Sequence, residues 1–285
     1  AADLPYNWER VQKYPQLIGD FVWAAWDYLG ESCMGWTYHS YLGLPLLANQ
    51  GMIDSTGQPL ASMAFMQVVW GLRKKPYIGV RPLNHAHEAP SKGSWQFTDA
   101  IDSWNWPGFE GTKATVEVYS AGSAVRLLLN GQKIATRRLK DYKALFHLPY
   151  APGVLTAQAL DASGTVLAES SLSSGKGKRK LSAIPEKRIL QAGSGALCYL
   201  PVEFVDEEGV LLPAVETSVA LSVRGPIIRE GFGSALYKTE ESYQQDHFTS
   251  YRGRCLAVFR AGNQPGTATV TISSAGTEPD RKSVV

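Results

Sequence analysis

The 285-residue chain has only three cysteines, too few for a disulfide framework. Cys198 and Cys255 fall where strand alternation points both inward, a spacing that would suit a bridge between two sheets. Buried thiols are the favoured expectation for them, because nothing in the sequence establishes an oxidising compartment. Cys33 has no base at motif spacing and is expected to be inert. No apolar run approaches the roughly 20 residues needed to cross a bilayer, which excludes a membrane-spanning helix. A charge excess is also missing. Lys plus Arg number 28 against 26 for Asp plus Glu, a net +2 that supplies no electrostatic footprint for nucleic acid or anionic lipid. Neither partner is expected. A Gly-rich phosphate loop, a zinc motif and a Ser nucleophile elbow are all absent, and Gly231-Phe-Gly-Ser234 is too short to cradle a phosphate. His85 and His87 would share one face of a strand, but no third ligand accompanies them, so neither metal nor cofactor is expected. The opening Ala1-Ala-Asp-Leu-Pro-Tyr-Asn-Trp8 holds no signal-peptide core and neither end carries a lipidation motif. The compartment is left open among cytoplasm, periplasm and the exterior.

What is present describes a folded chain: apolar residues make up 44% and charged residues 19%. The length accommodates about two average domains, or several smaller cores. Aromatic residues are the most informative, with eight Trp, 13 Tyr and nine Phe, and no Trp follows residue 106. The two parts of the chain therefore need separate readings.

The stretch Gln16–Trp26 reads as a short apolar strand of the kind buried on both faces of a sheet. Trp8–Tyr14 before it reads as the end of a helix stopped by Pro15. A loop follows over Asp27–Gly51, then a helix start at Asp54–Pro59 and an amphipathic helix over Leu60–Leu72 carrying Met63, Phe65, Met66, Val69 and Trp70. Strand, loop and helix make one βα unit, which cannot fill a sheet by itself and reads as a piece of something larger.

From Pro76 to Ser174 the pattern changes to short alternating runs. Thr115–Tyr119 and Val125–Leu129 are expected strands, and Asn130-Gly131 is a hairpin turn leading into Gln132–Thr136. Phe146–Pro149 and Val154–Leu160 continue the rhythm, as expected for an antiparallel sandwich. The basic, Gly-rich Ser173–Lys180 is the expected linker. Strands at Leu200–Val205, Val219–Val223, Cys255–Phe259 and Thr267–Ile272 then indicate a second sandwich from about Leu181 to Gly276, with residues 277–285 expected to fray.

The chemically promising residues are Trp23, Trp26, Asp27 and Glu31. Aromatic faces stack on the apolar face of a sugar ring, and carboxylates accept from its hydroxyls. Spacing alone favours ordinary core packing for Trp26 and leaves Trp23 open between core and sugar contact.

The run Ile18-Gly-Asp-Phe-Val-Trp-Ala-Ala-Trp-Asp-Tyr-Leu-Gly-Glu31 resembles the last barrel strand of glycoside hydrolase family 2, the β-galactosidase and β-glucuronidase family, in its bacterial β-galactosidase-like branch. Gly51–Pro59 followed by Trp70 is similar to the final barrel loop and helix of that branch. Val125–Gly131 and Tyr150–Ala157 resemble the immunoglobulin-like domain after the barrel. Gly231–Ser234, Tyr251–Ala257 and Pro265–Thr271 resemble the next sandwich.

The resemblance implies a mainly β fold with two immunoglobulin-like β-sandwiches preceded by the last βα unit of a TIM barrel. The expected divisions are residues 1–75 for the barrel portion, 76–175 for the first sandwich and 176–285 for the second. It also implies a retaining mechanism, with one Glu protonating the leaving oxygen and a second attacking the anomeric carbon, the carboxyls about 5 Å apart. In the family both lie on earlier barrel strands, and Glu9 sits in the wrong context for either. The chain therefore reads as a C-terminal fragment without catalytic residues, inactive on its own, with a carbohydrate substrate in the intact enzyme. Trp23 matches the strand-end Trp of the family's sugar pocket, and Asp27 and Glu31 match a motif near the pocket mouth, so these three are the expected substrate-binding residues. The loop Tyr38–Asn49 and the insert Ser91–Ile101 depart from the common pattern, which leaves the sugar open. The sandwiches are expected to act as scaffold and as a homodimer or substrate-access surface. A competing expectation is a non-enzymatic tandem immunoglobulin-like module that binds carbohydrate or protein through an exposed face at Trp95, Trp104 and Trp106.

Overall fold

The computed structural model describes residues 3–93 and 95–284. It divides into two compact units, Ala1–Ser174 and Gly175–Val285.

The first unit opens with helix α1 (Leu4–Lys13), capped by the Asp3 side chain and carrying Pro5 in its first turn. The apolar run 16–26 does not become a strand. Only its end runs beside another segment, parallel to residues 52–53: Met52 N–H donates to Ala24 O (3.0 Å), Ile53 N–H to Ala25 O (2.9 Å) and Asp27 N–H to Ile53 O (2.8 Å). A parallel strand buried on both faces needs neighbours at both edges. With one partner only, Ile18 and Phe21 stand exposed. The short strand β1 (Trp36–Thr37) precedes helix α2 (Ala61–Val69), which ends before the apolar run does. Gly71 adopts φ 68°, its N–H bonds to Val68 O (3.0 Å) and Leu72 N–H reaches Gln67 O (2.8 Å). This left-handed Schellman stop needs a glycine and satisfies the last carbonyls of the helix.

Strands β2 (Tyr77–Val80), β3 (Ser91–Lys92), β4 (Lys113–Tyr119), β5 (Ala124–Leu129), β6 (Gln132–Arg138), β7 (Lys143–Pro149), β8 (Val154–Leu160) and β9 (Val166–Ser173) follow. β3 pairs with β1, and the rest form two antiparallel sheets in the orders β2-β4-β7 and β6-β5-β8-β9. Three strands and four together match the count of a constant-type immunoglobulin sandwich. The hairpin between β5 and β6 turns at Asn130 (φ 52°) and Gly131 (φ 78°), the two positive values that a type I′ turn requires. Inward residues alternate as the pleat demands, with Ala144, Phe146 and Leu148 buried on β7. A second apolar cluster joins Leu4 of α1 and Phe65 and Val68 of α2 to Tyr77 and Tyr119 of the β2-β4-β7 sheet.

Three placements correct the sequence reading. Trp104 and Trp106 are fully buried, not an exposed face. The Trp104 indole N–H donates to Ala151 O (3.1 Å) and that of Trp106 to Ser103 O (3.2 Å), while Tyr150 packs edge-on against Trp104. Buried indoles with satisfied N–H groups are core. Trp26, expected in the core, is instead 55% exposed. His85 and His87 do not share a strand face, because Pro82 leads into a 3₁₀ turn over Leu83–His85. His85 stacks on Tyr38 and accepts or donates at Tyr41 Oη (2.9 Å), and His87 is exposed.

The second unit contains β10 (Lys180–Ala183), β11 (Leu197–Val205), β12 (Ser218–Arg224), β13 (Ile227–Gly233), β14 (His247–Thr249), β15 (Arg254–Ala261), β16 (Ala268–Ser274) and β17 (Asp280–Val284). They form two antiparallel four-stranded sheets, β10-β11-β15-β13 and β14-β12-β16-β17. Leu200, Val202, Phe204, Phe232, Phe248, Phe259, Val270 and Ile272 form the core between them. The C-terminal stretch is not frayed: Asp280–Val284 pairs antiparallel with Ala268–Ile272, while Val285 lies outside the described residues. Cys198 and Cys255 are buried thiols on neighbouring strands of one sheet, not a bridge between sheets. Cys255 lies opposite Val202, four residues along β11 from Cys198. That is a rise of about 13 Å at roughly 3.3 Å per residue, beyond the reach of an S–S bond.

One turn recurs in both units. Asp54, Asp161 and Asp206 each accept, through one carboxylate oxygen, the N–H groups two and four residues on. The distances are 2.9 and 3.0 Å at Thr56 and Gln58, 2.8 and 2.9 Å at Ser163 and Thr165, and 2.9 and 3.0 Å at Glu208 and Val210. In each loop the Asp backbone N–H closes the ring on the carbonyl four residues ahead. The side chain thus completes a turn that the backbone alone leaves with unsatisfied donors.

Candidate functional site

The three sequence-predicted residues lie on the irregular segment after the 24–27/52–53 contact. Trp23 is 61% exposed, Glu31 is exposed and Asp27 is buried. The peptide between Trp23 and Ala24 is cis.

A single hydroxyl gathers them. The Trp23 indole N–H donates to Tyr28 Oη (2.9 Å), and the Gln50 amide Nε2 donates to the same oxygen (2.7 Å). Tyr28 in turn donates to the Glu31 carboxylate. The two rings meet edge to face at 6.3 Å between centroids. Gln50 also ties in Asp27, because its backbone N–H donates to Asp27 Oδ1 (3.2 Å). Trp23, Asp27 and Glu31 therefore belong to one hydrogen-bonded group, but they do not touch one another directly. Tyr28 and Gln50 make the connections, and neither is among the residues that the sequence pattern singles out. The i, i+3 spacing of Tyr28 and Glu31 is a local signal for the first. Gln50 has none, because it arrives across a long loop.

The electrostatics separate the two carboxylates. Burial pushes the Asp27 carboxyl above its ordinary value, against the backbone N–H groups of Gln50, Tyr28 and Asn49 that hold it down. Glu31, by contrast, faces solvent. The bond to Glu31 raises the Tyr28 phenol and keeps it in the donating form. Asp27 is thus a structural acceptor that fixes the Gln50 backbone. The groups that face outward are the Trp23 ring and the Glu31 carboxylate, an aromatic plane beside an acceptor. Such a pair can hold a polyol ring by stacking and hydroxyl bonds.

A second charged group lies under the first unit's outer sheet face. Glu117 is fully buried and bonded to Arg81 (2.9 Å), Lys143 (2.6 Å), Tyr119 Oη (2.7 Å) and Thr98 Oγ1 (3.1 Å). Burial alone would raise its carboxyl, but the Lys143 and Arg81 charges outweigh that and hold it below the ordinary value. Around His85, Glu88 is likewise drawn down to about 2: burial opposes this, and bonds from Ser40 and His85 prevail. Among the described residues, no group of three or more His, Cys, Asp or Glu side chains could hold a metal ion.

Comparison with known proteins places this geometry in context. Residues 181–283 match the family described as Glycoside hydrolase family 2 C-terminal domain 5, and residues 111–168 match a domain of unknown function (DUF4982). The chain is 25% identical over 263 residues to the β-galactosidase BoGH2A of Bacteroides ovatus, covering 91% of this chain and 27% of that protein. It superposes on a solved glycosyl hydrolase family 2 member from Bacteroides cellulosilyticus with a TM-score of 0.84 at 28% identity, covering 97% of this chain and 37% of that one. A β-glycosidase from Bacteroides vulgatus shares the fold, with a TM-score of 0.75 at 22% identity, over 99% of this chain and 32% of that one. The chain thus spans between a quarter and two fifths of the length of these relatives. Residues 181–283 are a family 2 C-terminal domain, and the three matches together support a C-terminal fragment of a glycoside hydrolase family 2 protein.

Proposed function

We propose that this chain supplies part of the sugar pocket and the scaffold of a retaining glycoside hydrolase acting on β-galactosides or related β-glycosides. The observation that carries this reading is the exposed Trp23 ring, held by Tyr28 beside the outward-facing Glu31 carboxylate. The relatives' names support the substrate class, since they are a β-galactosidase and a β-glycosidase. In this reading residues 1–75 contribute the last βα portion of a barrel, with Trp23 stacking on the sugar, Glu31 accepting from its hydroxyls and Asp27 bracing the wall from behind through Gln50. The acid/base and the nucleophile belong to earlier barrel strands of a longer protein. The chain by itself therefore does not turn over glycosides, because both steps of a retaining mechanism depend on those two carboxylates. The tandem binding-module reading keeps only Trp95 (41% exposed) of its proposed face, because Trp104 and Trp106 are core.

The test is a panel of aryl β-glycosides offered to this chain and to a version extended upstream through a whole barrel. Activity only in the extended protein, weakened by Trp23→Ala chiefly through KM, supports the reading. Turnover by the short chain overturns the placement of the carboxylates, and Asp27 and Glu31 would then be the pair to replace.

A further inference from the structure

The first unit contains a basic cleft remote in sequence from Trp23. It opens where β6 and β7, each the edge strand of its own sheet, come together. Its volume is about 630 Å³, and its lining includes Phe97, Arg137, Arg138, Lys140, Asp141 and Lys143. Lys143 is already neutralised by Glu117. Arg137, Arg138 and Lys140 are exposed and form no ion pair among the described residues, and the carboxylate facing them is that of Asp141. Three cations against one anion leave this one cleft with about the whole net charge of the chain, which is +2.

Lysines and arginines often guard sheet edges against pairing with another chain. That duty asks for charges spread along a strand. Here Arg137, Arg138 and Lys140 all line one concavity that also has an aromatic ring in its lining. Arg137 and Arg138 both line it and carry planar forks suited to carboxylates, and Pro5 offers apolar contact to a sugar face. The volume falls in the range of small-ligand sites, of roughly 300–1,000 Å³. A nucleic acid strand would ask for a longer track of cations and several stacking rings.

We infer that the cleft between β6 and β7 binds a short acidic saccharide, one bearing carboxylates of the uronate type. The saccharide half of this inference rests on the glycosidase reading above, while the anionic half rests on the charges alone.

The experiment is calorimetric titration of the 285-residue chain with trigalacturonate, with a neutral galactose trisaccharide, with inorganic phosphate and with a short single-stranded RNA. The expected result is that trigalacturonate binds, that added salt weakens it, and that the neutral sugar binds at least about tenfold more weakly, as expected when charge-assisted bonds are removed. Arg138→Gln with Lys140→Gln should weaken binding by a similar factor. So should Arg137→Gln, whose folding is checked by thermal melting because its guanidinium also lies 5.8 Å from the Phe146 ring. No binding of trigalacturonate, binding unchanged in the folded variants, equal affinity for phosphate, or tighter binding of the RNA would each overturn the inference. The titration needs no hydrolysis, so a failure of the glycosidase reading is seen separately in the aryl glycoside panel.

Discussion

The Trp23 indole donates to a Tyr28 hydroxyl whose remaining capacity is also filled, by Gln50 as a second donor and Glu31 as acceptor. A phenol has one proton to give and two lone pairs to receive, so Tyr28 uses all of its bonding capacity to fix the aromatic ring and the carboxylate together. Tyr28→Phe should leave the fold intact but release Trp23. In a fluorotryptophan-labelled chain, the Trp23 resonance, assigned by its loss in Trp23→Phe, should shift and narrow while the buried Trp104 and Trp106 signals stay in place. An unchanged Trp23 signal would show that the ring is held by packing and not by this bond.

The contrast between Tyr28 and Gln50 shows what the sequence makes legible and what it does not. Local devices are readable: Asn130-Gly131 turns a hairpin, and alternation marks β4, β5, β8 and β11. Contacts between distant segments are not. Gln50 reaches Tyr28 across a loop, and the burial of Trp104 is decided by Ala151 and Tyr150, far along the chain. Apolar content also misleads when partners are few. The run 16–26 has the composition of a buried strand, yet it pairs along one side only at its end. The opposite holds for β17, whose polar Asp280-Arg-Lys-Ser-Val284 carries no alternating pattern and is recruited through its main chain by β16.

Glu117 should be the most costly single acid to alter in the first unit. Glu117→Gln leaves the partly buried Lys143 without its counter-charge and Arg81 with only the longer contact to Asp99 (4.0 Å), and breaking a buried pair in this way costs about 3–5 kcal/mol. Urea unfolding followed by the signal of the first unit measures it. The pH dependence follows from the sign of the shift. A folded carboxyl held below its unfolded value of 4.5 stabilises the chain above that value, and the contribution is lost as pH falls through the lower, folded value. Wild-type stability should therefore drop on acidification below about pH 4.5, and the Gln variant should lack that component. Equal acid sensitivity in both would remove Glu117 as its source.

Cys198 and Cys255 should behave as two separate thiols. Burial pushes the Cys255 thiol far above its ordinary range, so little thiolate exists to react at neutral pH. In the native chain both should resist a thiol-directed reagent, and in guanidinium without reductant both should be labelled. Protection of this pair after denaturation would mean that they are bridged.

The turn built on Asp206 offers a clean measure of what the repeated loop contributes. Its buried carboxylate accepts from the backbone N–H groups of Glu208 and Val210, and the loop brings Leu212 back to Phe204, where Leu212 N–H donates at 2.9 Å. Asp206→Ala leaves two backbone donors without their acceptor beside the core of the second unit, a loss of about 2 kcal/mol. Asp206→Asn keeps an acceptor oxygen in the same place and should recover much of that loss, because the geometry of the turn, not the charge alone, satisfies the donors. Thermal unfolding of the two variants beside wild type decides it. If Asn is as damaging as Ala, the charge is what holds this turn.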